Sequence, residues 1–372
     1  MSRPLRIAAH NGARTYGGGE KWTVLLLRGL QERGHSVHLY CNSPGVVQRA
    51  RAEGVDASVA VLGGHLMLPQ AWSFSRRLRA FKADALLVAT FKKVWLAGRA
   101  ARRAGVRTVV SRIGLDTDLP GKHWSYRMAF RRWVDATLVN ADGIRRAVVA
   151  GLPDCDPARV ATVYDGIVLD AAVPPARDAK AALGLPVDAP VVGAIARLSA
   201  QKRLDRLVTA VSRLPGVHLA LAGEGELDPD LRALAVRLGL EDRVHFLGFR
   251  TDIARVLSAL DVFAITSDRE GMANAMLEAM AAGVPVVSTP VSGADEALFT
   301  DGEGRSPGLI VEADPIRLAE AMKGLLDAPA LRLAMGEEGR RRVREGFSYE
   351  GMLDAWQAVL GGDAPANWHQ GA

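Results

Sequence analysis

The feature that most restricts this chain is a strand-helix alternation that runs through it twice. Short apolar, β-branched runs at residues 5–9, 37–41, 59–62, 84–89, 106–111, 136–140 and 160–164 are separated by longer stretches at helical spacing, such as 22–33, which Gly34 stops. Strands joined through a helix return to the same end of the sheet and lie parallel. A parallel sheet must be covered on both faces, and the intervening helices supply the cover.

The rhythm breaks at Val173-Pro174-Pro175, because consecutive prolines fit neither a helix interior nor a central strand. Residues 173–187 therefore read as a linker between an N-terminal domain, 1–172, and a C-terminal domain, 188–345. The second series follows at 191–196, 217–222, 244–247, 262–266, 284–288 and 309–311, with helical stretches at 315–327, 331–343 and 349–360. The closing helix, 346–361, is expected to cross back to the N-terminal domain, and the tail 362–372 to fray. The expected fold is α/β, two doubly wound Rossmann-like parallel-sheet domains facing across a cleft, with ligands at the carboxyl ends of the strands.

Length and composition agree with this and close off other classes. A chain of 372 residues suits two cores, and 49% hydrophobic with 24% charged residues is the content of a folded domain. No run approaches the ~18 apolar residues of a membrane span. Two cysteines, Cys41 and Cys155, make no disulfide framework, and the opening residues lack the apolar stretch of a signal peptide, so a cytoplasmic location is expected. The net charge of +6 hides an asymmetry: residues 1–172 hold 26 Lys and Arg against 13 Asp and Glu, and the remainder 21 against 28. The first half is expected to meet something anionic.

The chemistry should lie in loops that follow strands. After 262–266 comes SDREGMANAMLEAMAAG, with Glu270 in a strand-to-helix loop and Glu278 two turns further on. Two other Glu pairs share that spacing, Glu312/Glu320 and Glu337/Glu345, but they sit in the polar terminal helices and read as solvated faces. Carboxylates accept hydrogen bonds from sugar hydroxyls, and bare N–H groups at a helix start suit a phosphate. The first strand of the second half leads into Arg197 and Lys202, two fixed positive charges able to hold a diphosphate, Arg as a planar fork and Lys as a point charge. Gly17-Gly18-Gly19 and Gly223-Glu224-Gly225 also follow strands, where a missing Cβ lets backbone approach a ligand or simply permits a tight turn.

With these residues in view, the chain resembles a retaining nucleotide-sugar glycosyltransferase of family four, with the two-domain GT-B fold. The resemblance covers nearly the whole chain, through Gly18-Gly19, Tyr164-Asp165-Gly166-Ile167, Arg197 with Lys202, Ala222 to Gly225, 243–248 and 270–287. It implies that Arg197 and Lys202 bind the donor diphosphate, Glu278 the ribose, and Glu270 with the backbone of Gly271, Met272 and Ala273 the transferred sugar. Gly18 and Gly19 border the donor from the other domain, Gly223 lines it, and Phe249 and Arg250 meet the nucleobase. Where such enzymes place a histidine or carboxylate near the acceptor, this chain offers Asp116. Ser292-Gly293-Ala294-Asp295-Glu296 departs from the paired glycines that often precede a glutamate near the end of the second domain.

The resemblance further implies front-face transfer with retention, without an enzyme nucleophile, so that catalysis is positioning plus charge stabilisation. The expected donor is a UDP-linked hexose, the acceptor a glycan or lipid-linked saccharide of the cell envelope, such as lipopolysaccharide. No cofactor beyond the nucleotide-sugar co-substrate and no metal are expected: the D-x-D pairs Asp116/Asp118, Asp154/Asp156 and Asp228/Asp230 barely exceed chance, and no H-E-x-x-H occurs. Phe74, Leu78 and Phe81 mark one face of a helix whose remainder carries Trp72, Arg76, Arg77, Arg79 and Lys82. With Trp124, Arg127, Arg131, Arg132 and Trp133, that surface suits a peripheral position on an anionic membrane. Nucleic acid is not an expected partner. Two rivals remain at this point: an NAD-dependent oxidoreductase, which needs an acidic residue ending the second strand where Tyr40-Cys41-Asn42 stands, and a basic scaffold or nucleic-acid binder, which leaves Arg197, Lys202, Glu270 and Glu278 without a role.

Overall fold

The computed structural model describes residues 3–64, 67–115, 124–152, 156–168, 174–300, 302 and 304–366. Asp116, Asp118, Asp154 and Cys155 lie outside the described residues. The chain divides into two compact units, one of residues 1–166 with the segment from Tyr349 onward, the other of Ile167–Ser348.

The first unit holds seven strands: β1 (Arg6–Asn11), β2 (Ser36–Cys41), β3 (Ala57–Val59), β4 (Ala85–Val88), β5 (Thr108–Ile113), β6 (Ala136–Val139) and β7 (Val160–Thr162). They pair in parallel in the order β3-β2-β1-β4-β5-β6-β7. Alternate side chains feed two separate cores, Ala8, Leu86 and Val88 on one face, Ile7, Ala9, Ala85 and Leu87 on the other. This is the two-sided burial expected of near-continuous apolar strands. The run at 59–62 continues past β3 because Ala60 N–H still donates to Cys41 O at 2.8 Å, while Asn42 beyond the end of β2 pairs Leu62 through its side chain, at 2.9 and 3.0 Å. Phe74 and Leu78 are fully inside one of these cores, so the apolar stripe of helix Leu68–Phe81 packs on the sheet, while Trp72, at 53% exposure, stands on its outer surface with Arg76, Arg77 and Arg79.

The second unit holds β8 (Val191–Ile195), β9 (His218–Ala222), β10 (Val244–Gly248), β11 (Val262–Ile265), β12 (Val286–Ser288) and β13 (Gly308–Ile310), parallel in the order β10-β9-β8-β11-β12-β13. Two expected boundaries are corrected here. The division falls at Gly166/Ile167, not Ala172, and within 173–187 the helix Ala176–Ala182 is part of the second unit. The reason is a buried tether: Lys180, 7% exposed, pairs with Asp261 at 3.0 Å, and the same carboxylate accepts from Val191 N–H at 2.9 Å. Prolines mark only where that helix starts.

The last helix, Tyr349–Gly361, is a component of the first unit. Met352, Leu353 and Trp356 are buried in its core, and Trp356 meets Trp22 edge to face at 5.1 Å. Tyr349 Oη donates to Leu25 O at 2.8 Å, and Arg33 bridges Glu350 and Asp354. Gly29 leaves room for this contact: a Cβ there would meet the Tyr349 hydroxyl and lie 2.7 Å from Leu353 Cδ1, so those side-chain ends would have to shift. Trp356→Ala is expected to destabilise the first unit by about 3–5 kcal/mol, seen as a lowered urea midpoint for its transition. His10, at the end of β1, is wholly buried, and burial pushes its imidazole down to about 4 from 6.5. Unfolded chain therefore takes up the proton first as pH falls. Stability is complete above 6.5 and lost between 6.5 and about 4, by up to about 3 kcal/mol, a slope that His10→Gln should flatten in urea titrations.

Candidate active site

In an open parallel sheet, loops on either side of the point where strand order reverses diverge and leave a crevice at the carboxyl end. In the second unit that point is β8/β11. The loop after β8 carries Arg197 and a 3-10 turn, Ala200–Lys202; the loop after β11 carries residues 266–273 and enters helix Asn274–Ala282. The expected cationic and acidic residues thus leave adjacent strands.

They also touch. Lys202 Nζ pairs with Glu270 Oε1, and Ser267 Oγ donates to that oxygen at 2.7 Å. Among the described residues both contacts fall on Oε1, which leaves Oε2 as a free acceptor. Glu270 is only 8% exposed, so its charge is held by these two donors and not by bulk water. The loops are laced by their backbones as well: Asp268 N–H donates to Gln201 O at 3.0 Å, Gln201 Nε2 to Arg269 O at 2.8 Å and Thr266 Oγ1 to Lys202 O at 3.0 Å. Arg206 pairs with Asp268 at 2.7 Å below them, and the ion pairs with Arg206 and Arg203 hold the Asp268 carboxyl below its ordinary range despite its partial desolvation.

Arg197, Gly223, Phe249, Gly271, Met272, Ala273 and Glu278 follow strands β8 to β11 of the second unit. Arg197 is exposed and, among the described residues, its guanidinium has no hydrogen-bond or ion-pair partner. Gly271 and Met272 are buried and Ala273 half-buried, and no side chain caps the helix that Ala273 precedes, so its first N–H groups are available to an anion. Glu278 lies on that helix, half-buried. Phe249 follows β10 at 54% exposure. Arg250 is committed to Asp252 through two parallel bonds of 2.8 and 2.6 Å, so it meets a base only as part of that fork. In the first unit Gly18 and Gly19 open helix Gly18–Glu32, are exposed, and have no atom within 4 Å of an added Cβ. Among the described residues nothing crowds a side chain at those two positions.

Gly223 and Gly225 are different. A Cβ on Gly223 would fall 1.9 Å from Ala196 O, and one on Gly225 2.2 Å from Leu198 O. The turn after β9 is therefore a buttress for the Arg197 loop, tied by Leu198 N–H to Glu224 O at 3.0 Å. Gly293 is similar: at φ +81° a Cβ on it would lie 3.0 Å from Gly271 O, so the departure at 292–296 packs against the Gly271–Met272 backbone.

Several parts of the site were not foreseen. Ser267 and Thr266 gave no motif, since their role depends on the turn that folds them under Glu270 and Lys202. In the first unit, buried Arg112 donates from Nη2 to both carboxylate oxygens of Asp165 at 3.0 Å, lies 3.8 Å over the Trp22 ring, and shares Asp165 with Asn140 Nδ2 at 2.8 Å. Asp165 was visible in its Tyr-Asp-Gly-Ile stretch, without a partner to give it meaning. Of the D-x-D pairs, Asp228 is engaged by Arg232 at 2.9 Å and Asp156 caps Ala158 N–H at 3.0 Å. Gly225→Ala is expected to cost about 1–3 kcal/mol in the second unit, read by urea unfolding, because the Leu198 carbonyl must move.

Comparison with known proteins bears on this geometry. Residues 16–171 match the model described as Glycosyltransferase Family 4, and residues 189–328 the one described as Glycosyl transferases group 1. The lipopolysaccharide core biosynthesis glycosyltransferase LpsE of Rhizobium meliloti is 35% identical over 235 residues, 63% of this chain and 66% of that protein. Against other curated relatives the match spans about half of their length, 53% and 47% for two of them. A glycosyltransferase from Rickettsia africae superposes with a TM-score of 0.84 at 16% identity, over 96% of this chain and 98% of that one. Anabaena HepE, solved in complex with UDP and glucose, gives 0.82 at 20%, over 96% and 100%. Among the described residues no helix is long and apolar enough to cross a membrane. With a family 4 domain in its first unit, a group 1 domain in its second and two parallel Rossmann-like sheets, the chain belongs to the GT-B glycosyltransferases of family four.

Proposed function

We propose that this protein is a retaining glycosyltransferase that moves a hexose from a UDP-linked donor to a saccharide acceptor of the cell envelope, in lipopolysaccharide core synthesis or a related assembly. The observation that carries the reading is the Lys202–Glu270 pair at the reversal of the second sheet, beside an exposed Arg197 and an uncapped helix start. The diphosphate takes Arg197, Lys202 and the N–H groups ahead of Asn274; the sugar hydroxyls take Glu270 Oε2 and the Gly271–Ala273 backbone; Glu278 takes the ribose and Phe249 stacks on the base. Negative charge that grows on the leaving diphosphate is met by cations already in place, which lowers the barrier without reorganisation.

The similarity to LpsE supports the envelope acceptor, and the UDP and glucose named with HepE support the donor. Front-face attack, in which the departing diphosphate takes the acceptor proton, needs neither a nucleophile nor a metal. Exposed Trp72, with Arg103 4.9 Å from its ring centre, and Trp124 at 59% exposure favour a peripheral seat on anionic lipid at the inner face of the cytoplasmic membrane.

A nucleotide-sugar panel tests the reading. UDP-hexose should raise the melting temperature and be slowly hydrolysed, with activity kept in EDTA and the anomeric configuration retained by NMR. Lys202→Ala should lower donor kcat/KM by about 10²–10³. Glu278→Ala should raise donor KM. A protein that no nucleotide sugar stabilises, or variants that respond as the wild type does, would refute the assignment.

A further inference from the structure

The first sheet has its own reversal, between β1 and β4, and a second charged group is built there. The loop after β1 and the turn after β4 are fastened together: Gly12 N–H donates to Thr90 Oγ1 at 3.0 Å, and Thr90 Oγ1 donates to Asn11 Oδ1 at 3.4 Å. The Lys93 stem runs along the Gly12 backbone so closely that a Cβ on Gly12 would lie 2.8 Å from its Cγ. The half-buried ammonium donates to Gly63 O at 3.2 Å, a neutral partner. Arg14 and Lys92 are exposed in the same loop and turn. Among the described residues no carboxylate pairs with Arg14, Lys92 or Lys93: Glu53 accepts from Tyr16 Oη at 2.6 Å, and Glu20 stands in the first turn of helix Gly18–Glu32.

An ammonium placed this way costs stability. Burial first, then the charges of Arg14 and Lys92, push Lys93 below the ordinary lysine range. Packing against Gly12 needs only the stem, which a methionine would supply. The charge therefore calls for an anion that is absent from the chain itself.

We propose that Arg14, Lys92 and Lys93 form a binding site for a phosphate monoester carried by the saccharide acceptor. The proposal rests on the glycosyltransferase reading above and names the class of its second substrate. Three cations without an acid match a dianion, whereas a single carboxylate leaves most of the charge uncompensated, and the Arg14 fork suits phosphate oxygens. A cavity of about 530 Å³ beside Arg14, with Thr15 and Gln48 among its lining residues, leaves room for the sugar that carries the phosphate.

The test uses the full-length protein with UDP in excess, so that phosphate cannot report on the donor site. Inorganic phosphate, titrated at constant ionic strength, should bind the wild type and lose about tenfold or more in affinity in the Arg14→Gln/Lys93→Met double variant, with Lys93→Arg retaining most of it. Lys93→Met alone should melt no lower than the wild type, since the charge it removes is uncompensated. Competition then separates the sources. Displacement of phosphate by glucose 6-phosphate but not glucose points to a small sugar phosphate; displacement only by phosphorylated core oligosaccharide, abolished by phosphatase treatment, points to an envelope-linked one. Equal phosphate affinity in wild type and double variant overturns the proposal, as does a Lys93→Met protein clearly less stable than the wild type. Loss of UDP binding would instead count against the donor assignment, whose charged residues lie in the other unit.

Discussion

Parallel pairing is the constraint on which the rest depends. Because every strand must be reached through a crossover, all strands of a sheet end on the same side, and at the one place where strand order reverses the connections leave in opposite directions. Each unit has one such place, β1/β4 and β8/β11. Every residue singled out for donor or acceptor binding in the described chain lies in a loop, turn or helix that follows the carboxyl end of a strand. The sheets themselves contribute apolar side chains and the rigidity that holds those loops.

The charges in the two reversals are handled differently. In the second unit opposite charges meet: Lys202 neutralises Glu270, and Ser267 supplies a further donor, so the site is poised before any ligand enters. In the first unit like charges gather, and among the described residues the Lys93 ammonium meets the neutral Gly63 carbonyl. A paired site can exchange its internal contact for a ligand with little change in desolvation, while an unpaired one gains compensation that the fold does not provide. The two arrangements suit a donor whose polyol and diphosphate demand both signs, and an acceptor with an anionic group.

Glycine is used under two different steric conditions. Gly223 and Gly225 are glycine because a neighbouring carbonyl occupies the space of a Cβ, whereas Gly18 and Gly19 face open space. Both sets follow strands and look alike in sequence. Their roles separate only when the loop after β8 is seen lying against the turn after β9. The oxidoreductase alternative fails on a comparable detail: the position after β2 is Asn42, whose side chain is spent on Leu62 and carries no acid for a ribose.

What the sequence determined by itself was the repeated period: strands of period two separated by helical stretches specify parallel sheets, and the positions of Glu270, Glu278, Arg197 and Lys202 after strands could be read directly, because both signals are local in the chain. Terminal helices were legible for the same reason. Tertiary structure alone decided the burial of Phe74 and Leu78, the inclusion of helix Ala176–Ala182 in the second unit through Lys180 and Asp261, the seat of Trp356 against Trp22, and the junction of Lys93 with Gly12. Those contacts join residues tens to hundreds of positions apart. Their energies come from desolvation and close packing, which exist only once the chain has brought the partners together.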